Sequence, residues 1–177
     1  MMSENPMREI RIEKVVINIG VGEPGERLEK AETILARIVK TITGKDYKPV
    51  RTIATKKIPK WGIRPGLAIG VKLTLRGEDA EKFLRAALEA VENKIPARSF
   101  DNQGNFSFGI NEYIDLPGIK YDPKIGIFGM DVSVSLERPG YRVKRRKIRR
   151  AKVGKTHLIT KDEAIAFVKD KFGVEVI

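Results

Sequence analysis

The segment Leu67-Ala-Ile-Gly-Val-Lys-Leu-Thr-Leu-Arg76 decides the fold class. Leu67, Ile69, Val71, Leu73 and Leu75 alternate strictly with Ala68, Gly70, Lys72, Thr74 and Arg76. A period of two sends the two sets to opposite faces of a strand. One face is apolar and the other small or polar. A strand covered on both sides, as in a parallel sheet, would be apolar throughout. This strand therefore belongs to an antiparallel sheet with one covered face and one open face. Residues 14–22, 106–110 and 130–136 read as further strands with one apolar face each, and a short strand is expected at 49–53.

Outward from the strands, the period changes to 3.6. Leu28, Ala31, Leu35, Ile38 and Ile42 fall on one face of a helix over 26–43. Glu26 and Lys30 form an i,i+4 pair on it, and Gly44 is placed to close it as a left-handed cap. A second helix is expected over 78–92, with Ala80, Phe83, Leu84, Ala87, Leu88 and Val91 inward. Thr160-Lys-Asp-Glu163 is a capping box that opens a last helix. That helix should turn Ile165, Val168 and Phe172 inward and stop at Gly173. The expected fold is α+β: an antiparallel sheet with helices packed on one face and the other face open, in a ferredoxin-like or RRM-like layout. Residues 1–7 read as a loose tail. Residues 1–137 are expected to form the α+β body, and 138–177 to add a basic arm and C-terminal helix packed on the same domain.

Composition narrows the chemistry. The chain has 177 residues, 41% hydrophobic and 33% charged, which suits one globular domain. It has no cysteine, so disulfides, zinc fingers and cysteine nucleophiles are excluded. His157 is the single histidine, too few for a multi-histidine metal site. No metal or cofactor is expected. The longest apolar run, Ala164-Ile-Ala-Phe-Val168, is far below the ~20 residues that span a bilayer. The start of the chain lacks the apolar core of a signal peptide. A soluble, intracellular protein without membrane partners is expected.

Charge is the most informative quantity. The net charge is +12. Residues 138–155 hold ten Lys/Arg and no acid, and residues 45–64 hold seven Lys/Arg against Asp46. These two segments carry +16, which leaves the remaining 139 residues at −4. Two concentrated basic patches on a mildly acidic body imply a polyanionic partner.

Four constellations could carry function. Gly20-Val-Gly22-Glu-Pro-Gly25 matches G-x-G-x-x-G, but no acid is placed to hold a ribose and no further βαβ unit follows. It reads as a tight strand-to-helix turn, or as backbone N–H groups that meet an RNA phosphate. The open sheet face would present Asn18, Gly20, Lys72, Thr74, Arg76, Ser107, Gly109, Asn111, Ser133 and Ser135, with Asp131 among them. It has no aromatic to stack on unpaired bases, and its small polar residues suit sugar and phosphate oxygens of folded RNA. An ordinary solvated face is the competing reading. The loop 54–65 sets Lys56, Lys57, Lys60 and Arg64 around Trp61. Trp61 either stacks on a nucleotide or anchors the loop inward. The arm carries Arg142, Lys144, Arg145, Arg146, Lys147, Arg149 and Arg150, as phosphate contacts would require. No group of titratable side chains converges on acid–base work, so no enzyme is expected. A general nucleic-acid chaperone is the alternative.

Several of these stretches resemble one family. Val15-Val-Ile-Asn-Ile-Gly-Val-Gly-Glu23, Ile69-Gly-Val-Lys-Leu-Thr-Leu-Arg-Gly77 and Ser99-Phe-Asp-Asn-Gln-Gly-Asn-Phe-Ser-Phe-Gly-Ile-Asn-Glu112 are similar to the universal large-subunit ribosomal protein five. Pro117, Tyr121-Asp122 and Gly129-Met-Asp-Val132 continue the likeness in order. Arg138-Pro-Gly-Tyr141 and the basic arm resemble its archaeal and eukaryotic branch. The resemblance implies a cytoplasmic protein of the central protuberance of the large ribosomal subunit. It would bind 5S rRNA through the sheet side and the turn around Asn18–Gly22, beside large-subunit rRNA and neighbouring central-protuberance proteins. The loop 54–65 would reach peptidyl-site tRNA, and a small-subunit head protein would be a further partner. The loop departs from the bacterial pattern Ala-Lys-Lys-Ser-Ile-Ala, reading Ala54-Thr-Lys-Lys-Ile-Pro-Lys-Trp61.

Overall fold

A computed structural model describes residues 5–177. The tail expected over 1–7 lies partly outside them. Its described end is ordered: Pro6–Arg8 forms a 3-10 turn, and the Asn5 side chain accepts from the Met7 N–H.

In chain order the strands are β1 (Arg11–Gly20), β2 (Val50–Ile53), β3 (Ala68–Leu75), β4 (Lys94–Ile95), β5 (Phe106–Ile110), β6 (Met130–Glu137) and β7 (Glu175–Val176). Five of them build the main sheet in the order β2-β3-β1-β6-β5, antiparallel at every pairing. With α1 (Glu26–Thr43) after β1 and α2 (Gly77–Ala90) after β3, four strands reproduce the ferredoxin-like β-α-β-β-α-β order. β5 adds a fifth strand outside β6.

The alternation sorts the residues as the sequence predicts. Val15, Ile17 and Ile19 of β1, Val71, Leu73 and Leu75 of β3, and Val132, Val134 and Leu136 of β6 are buried. Against them pack Leu28, Ala31, Ile34, Leu35, Ile38 and Val39 of α1, and Ala80, Phe83, Leu84, Ala87 and Leu88 of α2. The α1 stripe is broader than five positions because Ile34 and Val39 are buried too, and Ile42 lies only at its border. Gly44 closes α1 in the left-handed conformation, φ 76°, with its N–H on the Lys40 carbonyl.

Three departures have physical causes. β1 starts at Arg11 rather than 14, because a bulge at Glu13 re-phases the strand. Ile12 pairs with Leu136, while Lys14 pairs with Ser135, so both Glu13 and Lys14 leave the core. In α3 (Lys161–Phe172) the buried residues are Ala164 and Val168, and Ile165, Phe167 and Phe172 sit at the edge. Gly104 of the loop before β5 lies against Ile159 and Ala164, where a Cβ on residue 104 would come within 2.6 Å of Ile159 and 3.2 Å of Ala164. Finally, β4 and β7 form a short parallel pair that alternation over so few residues does not reveal. It ties the last residues to the chain after α2.

Segment 138–155 is folded, not extended. Pro139 and Gly140 turn the chain into a 3-10 turn at Tyr141–Lys144, and Tyr141 is buried. The Ala151 N–H returns to the Val143 carbonyl at 3.2 Å, closing a hook. Arg146 Nε donates to the Arg149 carbonyl and Arg150 Nε to the Lys144 carbonyl, each at 2.7 Å.

Candidate nucleic-acid interface

The register assembles the open face row by row. Asn18 lies between Lys72 and Asp131, with Val50 beyond Lys72 and Gly109 beyond Asp131. The next row is Thr74, Val16, Ser133 and Ser107. Gly20 sits opposite Gly70 at one end. Asn18, Gly20, Lys72, Thr74 and Ser107 therefore share one face, and Asn111 is exposed just past β5. Asp131 is also there, opposite Asn18. The face is less uniformly polar than expected. Val16 crosses it, and Val50 and Ile53 on edge strand β2 are more than half exposed. Ile53 joins this face because a second register shift separates it from Thr52.

The far end of the face is an ion-pair cluster. The bulge turns Glu13 outward beside Glu137, and both carboxylates are nearly covered. Arg145 of the arm donates to both, Arg11 lies 2.9 Å from Glu137, and Arg76 donates to the Glu13 carbonyl at 3.3 Å. Arg76 and Arg145 are thus engaged within the protein. Lys72 has no ion pair or side-chain hydrogen bond among the described residues.

Arg138, the first of the ten cations in residues 138–155, is 3% exposed and points inward. Its Nε donates to the Arg8 carbonyl, Nη1 to the carbonyls of His157 and Leu158, and Nη2 to Glu163 at 2.8 Å. It joins the end of β6, the N-terminal turn and the start of α3. Glu163 is held below its ordinary pKa, first by the Thr160 N–H of the capping box and further by Arg138. His157 packs edge-on against Tyr141, and its Nε2 meets the Pro139 carbonyl at 2.8 Å.

In the loop before β3, Ile58 and Ile63 bridge across a 3-10 turn at Pro59–Trp61. Ile63 is buried and anchors the loop, which frees Trp61 to be 68% exposed. Lys56, Lys57, Lys60 and Arg64 are all exposed around it. The inward reading of Trp61 is therefore excluded. The turn after β1 is tight: the N–H groups of Val21 and Gly22 both donate to the Ile69 carbonyl, at 3.0 and 2.8 Å. Gly22 has φ +86°, so glycine serves the turn. Its N–H is already committed.

In the arm, Arg142, Lys147 and Arg149 have no ion pair or side-chain hydrogen bond among the described residues. Lys144 lies over the Tyr141 ring at 4.8 Å. Arg146 and Arg150 each use one nitrogen to shape the hook. Among the described residues no cluster of three or more His, Cys, Asp or Glu could hold a metal ion, and no helix is long and apolar enough to cross a membrane.

A half-covered sheet with an exposed cationic loop and a cationic hook defines an α+β protein suited to a polyanionic partner. The comparisons make this specific. Residues 5–64 match the model of ribosomal protein L5, and residues 68–167 match the model of the C-terminus of the same ribosomal family. The chain is 54% identical over 175 residues to large ribosomal subunit protein uL5 of Nanoarchaeum equitans, covering 98% of this chain and 99% of that one. It is 52% identical to the uL5 of Sulfurisphaera tokodaii and 51% to that of Methanococcus vannielii, covering 98% of this chain and 95% and 94% of theirs. The chain belongs to the ribosomal L5 family. It is a structural constituent of the large ribosomal subunit in the cytoplasm, a partner of ribosomal RNA and not an enzyme.

Proposed function

We propose that the protein binds 5S rRNA in the central protuberance and contacts peptidyl-site tRNA and a protein of the small-subunit head. The observation that carries this reading is three exposed groups of cations that have no ion pair or side-chain hydrogen bond among the described residues: Lys72 on the sheet face, Lys56, Lys57, Lys60 and Arg64 around exposed Trp61, and Arg142, Lys147 and Arg149 on the hook. Asn18, Gly20, Thr74, Ser107 and Asn111 would hydrogen-bond sugar and phosphate oxygens of 5S rRNA beside Lys72. Arg76 would act at the margin of this surface. Gly22 would hold the neighbouring turn in shape. The Trp61 loop would reach the tRNA, and the hook would hold large-subunit rRNA beside neighbouring central-protuberance proteins. Residues 1–137 would be the RNA-binding body, with 138–177 an arm and helix on the same domain.

The test is a gel-shift titration against 5S rRNA and a length-matched unrelated RNA, at low and near-physiological salt. Complex with 5S rRNA should survive salt while the control is lost, because shape readout adds to phosphate attraction. Equal loss of both would leave only a general nucleic-acid chaperone. Replacing Lys56, Lys57 and Lys60 together by alanine should spare 5S binding and impair tRNA positioning on the ribosome.

A further inference from the structure

The hook formed by residues 138–155 contains a groove that the family-level function does not explain. Gly140, Arg142, Val143, Arg146, Lys147 and Ile148 line an open cleft of about 580 Å³. That is within the roughly 300–1,000 Å³ of small-ligand sites. No acid contributes to it. Ile148 is 76% exposed at the hook's tip, the most exposed large hydrophobic residue among those described. It is held there by a preformed backbone. Arg149 takes a left-handed conformation, φ 51°, while its carbonyl accepts from Arg146 and Ala151 returns to Val143. A non-glycine residue in that region costs free energy unless its surroundings enforce it. Arg146 keeps its terminal nitrogens without a partner among the described residues, and Arg142 and Lys147 have no side-chain partner there. The lining is therefore apolar at Val143 and Ile148 and cationic at Arg142, Arg146 and Lys147.

We propose that this groove seats a single unpaired nucleotide of an RNA chain. The base would lie against Ile148 and Val143, and its flanking phosphates would meet Arg142, Arg146 and Lys147. Apolar side chains commonly enter nucleic acid at unstacked steps, and unpaired bases are what proteins splay out of RNA. The groove is open to solvent rather than enclosed, which suits a nucleotide that belongs to a continuing chain. This inference rests on the RNA-binding reading above and adds the kind of RNA feature that is read.

The experiment compares wild-type protein and Ile148→Ser on two RNA hairpins, one fully paired and one with a single-nucleotide bulge, with AMP as a third ligand. Ile148 is exposed, and an unchanged circular dichroism spectrum would show the variant folded. The wild type should prefer the bulged hairpin about tenfold, the scale expected for covering part of one aliphatic side chain. The variant should lose that preference while its affinity for the paired hairpin stays the same. Equal affinity of the wild type for both hairpins, or equal weakening of both by the variant, would overturn the nucleotide seat while leaving general RNA binding intact. AMP binding as tight as the bulged hairpin would overturn it in favour of a free-nucleotide site. Failure of the wild type to bind either hairpin would remove the RNA-binding reading as well.

Discussion

Arg138 shows how one residue changes meaning between sequence and structure. It opens the densest cationic run in the chain, yet its guanidinium is buried and each of its nitrogens has a partner. Removing a buried charge leaves its partners unpaired, which costs more than the bond alone contributes. Arg138→Met keeps much of the volume but takes one partner from Glu163, which keeps the Thr160 N–H, and withdraws the guanidinium from three carbonyls. It should lower unfolding stability by about 3 kcal/mol in urea titration, less if water reaches Glu163. A loss below ~1 kcal/mol would mean that the pin is not needed. Asp79 is a second internal anchor, at the first turn of α2. It accepts from Lys45 at 2.8 Å and from the Tyr47 hydroxyl at 2.5 Å. The hydrogen bond from Lys45, then that from Tyr47, holds its pKa below 3.8, while the Lys45 ammonium is raised above 10.5. A depressed carboxyl gives stability that is present above its ordinary pKa and is lost as pH falls through the folded value. A raised ammonium gives stability that is present below its ordinary pKa and is lost as pH rises through the folded value. Asp79→Asn should therefore lower stability across neutral pH and flatten both the acid and the alkaline fall. An unchanged acid limb would place that sensitivity elsewhere, with Glu163 as the first alternative.

At the scale of elements, the arm and the sheet are one electrostatic unit. Arg145 reaches from the hook to Glu13 and Glu137 on the open face. Without it, Glu137 keeps Arg11 and Glu13 keeps Arg76 at 3.8 Å, but the cluster loses the cation that joins both carboxylates and turns more negative toward an approaching phosphate. Arg145→Ala should therefore weaken 5S rRNA binding about tenfold, and adding Glu137→Gln should restore part of the loss. If Arg145 instead touches phosphate directly, the second change would restore nothing. Retained affinity in the single variant would remove both roles. None of this was legible before the fold. The strands, α1 and the capping box of α3 are written in local periodicity and cap chemistry, which are properties of neighbouring residues. The bulge at Glu13 depends on whether Ile12 or Glu13 faces Leu136, and only the partner strand decides that. The same limit hid Arg138, whose partners lie up to 130 residues away. The open face was legible because alternation alone selects it. Trp61 was not, since its exposure depends on Ile63 anchoring the loop instead.

For the whole molecule, the net charge of +12 is borne mainly by two segments, and the fold divides that charge again. Within the arm, Arg138 and Arg145 serve the protein, whereas Arg142, Lys147 and Arg149 face outward without partners among the described residues. Outward cations that neutralise phosphates release counterions, so each adds about one unit to the salt dependence of binding. They also repel one another in the free protein, so removing them should not cost stability. Replacing Arg142, Lys147 and Arg149 together by alanine should then reduce the slope of log affinity against log salt by about 2–3 for large-subunit rRNA. The thermal midpoint should stay level or rise slightly. An unchanged slope would show that these cations do not meet phosphate. A reduced slope with a fallen midpoint would show that they also support the hook. Only a reduced slope at an intact midpoint separates the charge that binds RNA from the charge that holds the fold.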